Sequence, residues 1–459
     1  MKAKALTFLF AALLVSFSSF GATSAQEQQP PKQVCINIFV HGIMSIKPHL
    51  SVGNFVRFML DNVEDTVYSQ TVEYMREDDF FEKNQAMQSI GLFQVDPKRV
   101  DKGYTSGAFA QLFDQMLAWS NPKDTTENHY YTYGWAGLLS PSRRYADAIG
   151  LYKSLYDKVQ DLKRQGITPK IRIIGYSHGA NVCLNLACVR MLENVPNDLE
   201  IDELILIGMP VQSETDYFVS DPIFKKVYHI YSRGDRIQKL DFFSTKRFFS
   251  RRVFKDRSGF ELPDNLVQIQ IRVTRAIRTK KNRAMGPRAL NLHDRTTLWG
   301  KSSTQRDASP GHIELWFFGW TPANYRKDYI LSPLPVAIFT PVILDAIEKT
   351  KDRAQEPKEK KPILVDIRPE HECMIVKNQK SNKNVSVVEF PSVKEIYQMQ
   401  DFAQQYAPDS YTPQEYDDHI SQSYDRARDD FVERYAKHKK HHKHHHRKPG
   451  KCFRATLVS

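Results

Sequence analysis

The stretch "IRIIGYSHGANVCLNLACVRML", residues 171–192, narrows what this chain can fold into more than any other. An apolar, strand-like run reaches Gly175, a serine stands between two glycines, and an apolar helical run starts at once. Where a strand turns directly into a helix the backbones crowd, and positions two residues either side of the turn have no room for a side chain. The same geometry raises the Ser177 hydroxyl at the end of a strand, in front of the free N–H groups and partial positive charge of a helix N-terminus. A strand feeding a helix is also half of a parallel βαβ unit, so the flanking sequence is expected to alternate in the same way.

It does alternate. "VCINIFV" (34–40) reads as a buried strand ending in "HG", and "NHYYTYGW" (128–135) as a second. Residues 142–166 form a long amphipathic helix, with Ile149, Leu151, Leu155, Val159 and Leu162 near helical spacing and Gly166 as its stop. After the serine turn and a helix over 178–192 come strands "ELILIG" (203–208) and "KVYHIYS" (226–232), then "LVQIQIRV" (266–273), whose apolar residues alternate with polar ones. The pattern predicts an α/β protein with a mainly parallel sheet covered by helices on both faces. Its body spans 34–350, interrupted by insertions at 62–127 and 236–311, either of which has the length to cap a site. A charged linker (351–362) leads to a small C-terminal α+β appendage over 363–436 and a His/Lys-rich tail over 437–459.

The first 25 residues stand apart from this body. Lys2 and Lys4, an apolar run from Ala5 to Phe20 and small residues up to Ala25 have the anatomy of a cleaved export signal. The formal charge of +12 invites a nucleic-acid reading, but its location argues against one. Residues 437–451 hold seven Lys or Arg and no acid, the signal holds two more, and the remainder is left near +3. Five cysteines in an exported chain are too few for a disulfide scaffold. Cys35, Cys183 and Cys188 lie in core-like stretches as small hydrophobes, and Cys373 with Cys452 is the pair to test for a bridge.

"GYSHG" between strand and helix, with "IFVHGI" far upstream, resembles the α/β-hydrolase superfamily, and within it bacterial lipases and esterases. The resemblance covers roughly residues 34–320 and implies the α/β-hydrolase fold and a serine hydrolase. It also implies an oxyanion hole made by the backbone N–H groups of Ile43, after the "HG" strand, and of His178, next to the serine. The chain lacks the HGGG form of that loop, and His41 reads as a brace for the loop rather than a base.

A serine hydroxyl needs a base, and the base needs a carboxylate to hold its tautomer. The family order is serine, acid, histidine. Asp235, in the turn directly after a strand, is the favoured acid, with Asp241 as the alternative. His312, in "ASPGHIELWFFGW", is the favoured base, with His293 as competitor, while His229 lies inside a strand pattern as a packed histidine. No metal or organic cofactor is required.

The resulting expectation is an exported serine hydrolase that cleaves carboxylic esters. "DFFSTKRFFSRRVFKDR" (241–257) interleaves phenylalanines with basic residues, a composition suited to an anionic membrane surface, and leans the substrate towards a lipid. A thioesterase or peptidase would use the same three groups. The contrasting expectation is a catalytically silent hydrolase fold that binds surfaces through its C-terminal parts.

Overall fold

The computed structural model describes residues 33–43, 61, 63–64, 66–81, 89–239, 250–276, 305–307, 309–320, 329–351, 362–378 and 385–445. The expected export signal, Asp241, His293, Cys452, most of the 351–362 stretch and the end of the tail lie outside them, as do 240–249 and 277–304 within the second insertion.

One mixed sheet organises these residues. Strands β1 (Val34–Val40), β2 (Gly91–Val95), β3 (Glu127–Gly134), β4 (Lys170–Tyr176), β5 (Ile201–Ile207) and β6 (Phe224–Ser232) are followed by β7 (Leu266–Ala276), β8 (Gln305–Asp307), β9 (Ile363–Arg368), β10 (Cys373–Asn378) and β11 (Val385–Glu389). Their spatial order is β11-β10-β9-β7-β6-β5-β4-β1-β3-β2, with β8 paired to β7 beside this path. Every neighbour pair from β3 across to β9 is parallel, and the pairs β2–β3, β9–β10 and β10–β11 at the two ends are antiparallel. Parallel strands covered on both faces need apolar residues at successive positions, and all seven residues of β1 are buried.

The helices lie on both faces. On one, α2 (Thr105–Ser120) and α7 (Thr340–Lys351) share a core with Phe39, Ile174, Ile205, Ile230 and Ile269. On the other, α3 (Pro141–Arg164), α4 (His178–Leu184) and α5 (Leu186–Leu192) pack with Ile36, Ile38, Ile173, Leu204 and Leu206. Local rules explain α3: the Ser140 hydroxyl accepts from Arg143 N–H at 3.1 Å, Pro141 occupies the first turn, and Leu151, Leu155, Val159 and Leu162 line the buried face. The helix expected over 178–192 divides at Asn185 into α4 and α5.

Two sequence expectations are redrawn. The segment from 363 on is not a separate appendage: β9 pairs parallel with β7, and Val365, Ile367 and Met374 belong to the same core as Ile269. Its strands read as an isolated unit because a long charged stretch precedes them, while strand adjacency in space leaves no mark in the sequence. Nor is 62–127 simply a cap. It contributes the edge strand β2 and helix α2, whose Phe109 and Phe113 meet Phe39 edge-on at 4.8 and 5.6 Å between ring centres. Two polar positions of β7, Gln268 and Gln270, are buried too; Gln268 pairs with both backbone groups of Phe254 at 2.8 and 3.1 Å, as a neighbouring strand would.

Helix α1 (Val67–Glu77) precedes β2, α6 (His312–Trp316) precedes α7, and α8 (Val393–Gln404) and α9 (Pro413–His445) end the described chain. Helix α9 lies along α1. Ile420 and Tyr416 pack among Val63, Val72, Met75 and Phe81, and His419 stacks on Phe80 at 4.0 Å while its Nδ1 meets Asp78 at 2.7 Å.

Candidate active site

The sheet delivers Ser177 from the end of β4. Its φ of 52° and ψ of −127° fall where residues with a side chain are rarely found, and the turn is held by Ser177 N–H donating to the Ile207 carbonyl at 2.9 Å. The flanking glycines are required by space. A Cβ at Gly175 would stand 2.7 Å from Ala180 Cα, and one at Gly179 would overlap the His41 carbonyl.

Two distant segments meet this turn. Asp235 follows β6 and is fully buried. Its Oδ1 accepts N–H bonds from Ile237 at 3.0 Å and Gln238 at 3.3 Å. Gly234, beside it, lets the Ser309 and Pro310 carbonyls approach closely, which brings the 309–311 segment against the β6 turn. That segment carries His312, the first residue of α6. His312 Nδ1 lies 2.7 Å from Asp235 Oδ2, and Nε2 lies 3.0 Å from Ser177 Oγ. The three side chains are 3%, 8% and 0% exposed for Ser177, His312 and Asp235, so the chain of hydrogen bonds runs through a largely dry environment.

Tyr176 supports the imidazole. Its hydroxyl donates to the His312 carbonyl at 2.9 Å, and its ring lies 4.8 Å from the imidazole and stacks on Trp316 at 5.2 Å. Burial pushes the Tyr176 phenol well above its usual range, so it stays a donor.

Two backbone elements border the serine. His178 opens α4. The His41–Gly42–Ile43 loop comes so close that a Cβ on Gly42 would stand 3.1 Å from Ser177 Cβ and 3.0 Å from the Tyr176 ring. Among the candidates of the sequence, Ser177, Asp235 and His312 therefore meet, with Ile43 on a neighbouring loop and His178 adjacent. His229 does not: it is buried within β6, and burial lowers its pKa to about 4. No group of three or more His, Cys, Asp or Glu side chains among the described residues is arranged to hold a metal ion. Cys35 and Cys183 are buried, Cys188 is half-buried, and Cys373 is buried with a free thiol.

Sequence reasoning missed Arg76 and Trp135, which surround His41. Trp135 N–H donates to His41 Nε2 at 3.3 Å, its indole Nε1–H donates to the His41 carbonyl at 2.7 Å, and an Arg76 Nη lies 3.4 Å from Nε2. Neither residue belongs to a motif. No protein-family model matches the chain, and no curated protein is significantly similar to it.

Proposed function

We propose that the protein is an exported serine hydrolase of the α/β-hydrolase fold that cleaves carboxylic esters, with lipid-like esters as its substrate class. The continuous hydrogen-bonded chain from Ser177 Oγ through His312 to Asp235 carries the reading. Strand order supports the fold: the serine lies at the carboxyl end of a central parallel strand, where open α/β sheets bind ligands.

In this reading His312 Nε2 takes the proton from Ser177 Oγ as the oxygen attacks the ester carbonyl. Asp235 holds the Nδ1–H tautomer and stabilises the imidazolium. The N–H groups of Ile43 and His178 receive the oxyanion, a role in which losing one donor costs about a hundred- to a thousandfold in rate. Collapse of the tetrahedral intermediate expels the alcohol with the proton from His312 and leaves an acyl-serine. Water, deprotonated by His312, then attacks the acyl carbon; the acid departs and Ser177 regains its proton. The basic–aromatic composition of 241–249 suits approach to an anionic membrane surface, whereas within 250–257 Phe254 is buried and Arg251 and Arg257 pair with Asp216.

A fluorophosphonate probe tests the chemistry: labelling of Ser177 is expected, and a folded protein that resists it leaves the surface-binding alternative. A series of p-nitrophenyl esters tests the substrate class. Rates confined to the acetyl ester would defeat the lipid assignment, and preference for thioesters or amides would move the protein within the serine hydrolases.

A further inference from the structure

We infer that the His41 side chain, held in one tautomer by Arg76 and Trp135, sets the rotation of the Gly42–Ile43 peptide and so aims the Ile43 N–H at the reacting oxygen. The inference rests on the hydrolase reading and adds to it Arg76 and Trp135, two positioning residues that no motif marks, around a His41 whose bracing role it makes specific.

The contacts of the ring dictate where its proton sits. His41 Nδ1 stands 2.6 Å from the Gly42 carbonyl oxygen, which can only accept, so Nδ1 carries the hydrogen. Nε2 meets the Trp135 N–H at 3.3 Å and an Arg76 Nη at 3.4 Å, and both of these only donate, so Nε2 is bare. All three neighbours agree on a single neutral form. Burial, aided by the Arg76 charge, lowers the pKa of the ring to about 3, which keeps a second proton off Nε2. The frame is itself held: Arg76 donates to the Trp135 carbonyl, and the indole lies over the imidazole at 5.8 Å between centres.

The consequence follows from peptide planarity. The Gly42 carbonyl and the Ile43 N–H belong to one rigid trans unit and point in opposite directions. Gripping the oxygen therefore fixes the direction of the hydrogen. Such a grip matters here because a Cβ at position 42 would crowd Tyr176 and Ser177 at 3.0 and 3.1 Å, and the glycine that sits there does little to resist rotation of its own peptide. The side chain of the preceding residue supplies the restraint that a Cβ would otherwise provide.

The test begins with wild-type protein shown to react with fluorophosphonate. His41→Leu is expected to lower kcat by about a hundredfold, with KM held within about threefold, because the lost interaction forms only in the transition state. Affinity for a phenylboronic acid, which makes a tetrahedral adduct on the serine, should fall in parallel with kcat. His41→Asn, whose amide can donate to Gly42 and accept from Trp135, should recover at least about tenfold of the loss. Arg76→Met and Trp135→Phe should move kcat and boronate affinity the same way by smaller factors. Long-range proton–nitrogen NMR of the wild type should show His41 as the Nδ1–H tautomer. An Nε2–H ring overturns the inference even if every variant fails to fold, as do folded variants with unchanged kcat and boronate affinity. A wild type that takes no label removes the hydrolase reading and this inference together, whereas labelled wild type with unaffected variants removes the inference alone.

Discussion

Gly179, in the first turn of α4, faces the His41 carbonyl so closely that a Cβ at that position would overlap it. The helix behind the serine and the loop in front of it are thus locked to each other through a contact that excludes a methyl group. Gly179→Ala is expected to destabilise the fold by about 1–3 kcal/mol, since the colliding atom is backbone and cannot swing aside. Urea unfolding measures this, and ester turnover should drop with it as the loop is displaced. A variant as stable and as active as wild type would contradict the packing.

The backbone of Ser177 stores strain that its proposed role requires. Ser177→Gly and Ser177→Ala should both abolish fluorophosphonate labelling, but they should differ in stability. Glycine tolerates φ of 52° with ψ of −127°, and relief of a strain of this kind exceeds the entropy that glycine gives up. The glycine variant is expected to be about 1 kcal/mol more stable than the alanine variant. Thermal unfolding of the pair decides the matter, and the reverse order would mean the turn is relaxed.

Asp235→Asn separates charge and tautomer from simple packing. Oδ1 faces two backbone donors, Ile237 N–H and Gln238 N–H, so the new amide must turn its oxygen to them and its NH2 towards His312. His312 Nδ1 is then forced to accept, its proton moves to Nε2, and Ser177 loses its base. The fold should survive while kcat falls by up to about ten-thousandfold. A loss under tenfold in a folded variant would remove Asp235 from the proposed mechanism.

Acid stability should depend on two histidines outside the triad. Burial lowers His41 to about 3 and His229 to about 4. In the unfolded chain each titrates near 6.5, so between about pH 4 and 6.5 the unfolded state binds protons that the native state refuses. Stability therefore falls as pH drops through that window and is recovered above it, by about 1.4 kcal/mol per pH unit for each ring. His229→Asn should remove one share of the slope. Urea midpoints measured from pH 4.5 to 7.5 test this, and a wild-type curve flat below 6.5 would contradict it.

The C-terminal helix should matter for activity far from its own position. Tyr74 donates to Asp430, Arg426 lies over the Tyr74 ring at 3.7 Å, and His419 meets Asp78, so α9 clasps the helix that carries Arg76. Ending the chain before Pro413 strips Ile420 from the Val72–Phe81 cluster and is expected to cost about 2–4 kcal/mol. It should also lower kcat at least about tenfold as the Arg76 frame loosens. Ending it after Ala436 keeps every one of these contacts and should leave both quantities unchanged. Equal behaviour of the two truncations would show that the clasp does not reach the serine.

Much of the geometry around Ser177 was legible because it is local. Strand, turn and helix are contiguous at 171–192, and Asp235 follows immediately on a recognisable strand. His312 was harder, since a helix of five residues has too few turns to show a period. What stayed hidden depends on neighbours distant in the chain. The pairing of β9 with β7 crosses a charged stretch that reads as a boundary. The polar positions of β7 look solvent-facing until Phe254 is seen satisfying Gln268. Arg76 reaches His41 with its guanidinium and Trp135 with its indole and its backbone N–H, from segments 35 and 94 residues further along the chain, and contacts across such separations impose no residue pattern that a sequence could display.

The insertion of β9 beside β7 also governs what a protease could accomplish. A peptide bond broken between α7 and β9 would free no independent piece. The smaller fragment would stay seated through its ladder and shared core, so the nicked molecule would migrate as one particle until denatured. Mixed again after separation, the two fragments would have to find each other before either could close its sheet.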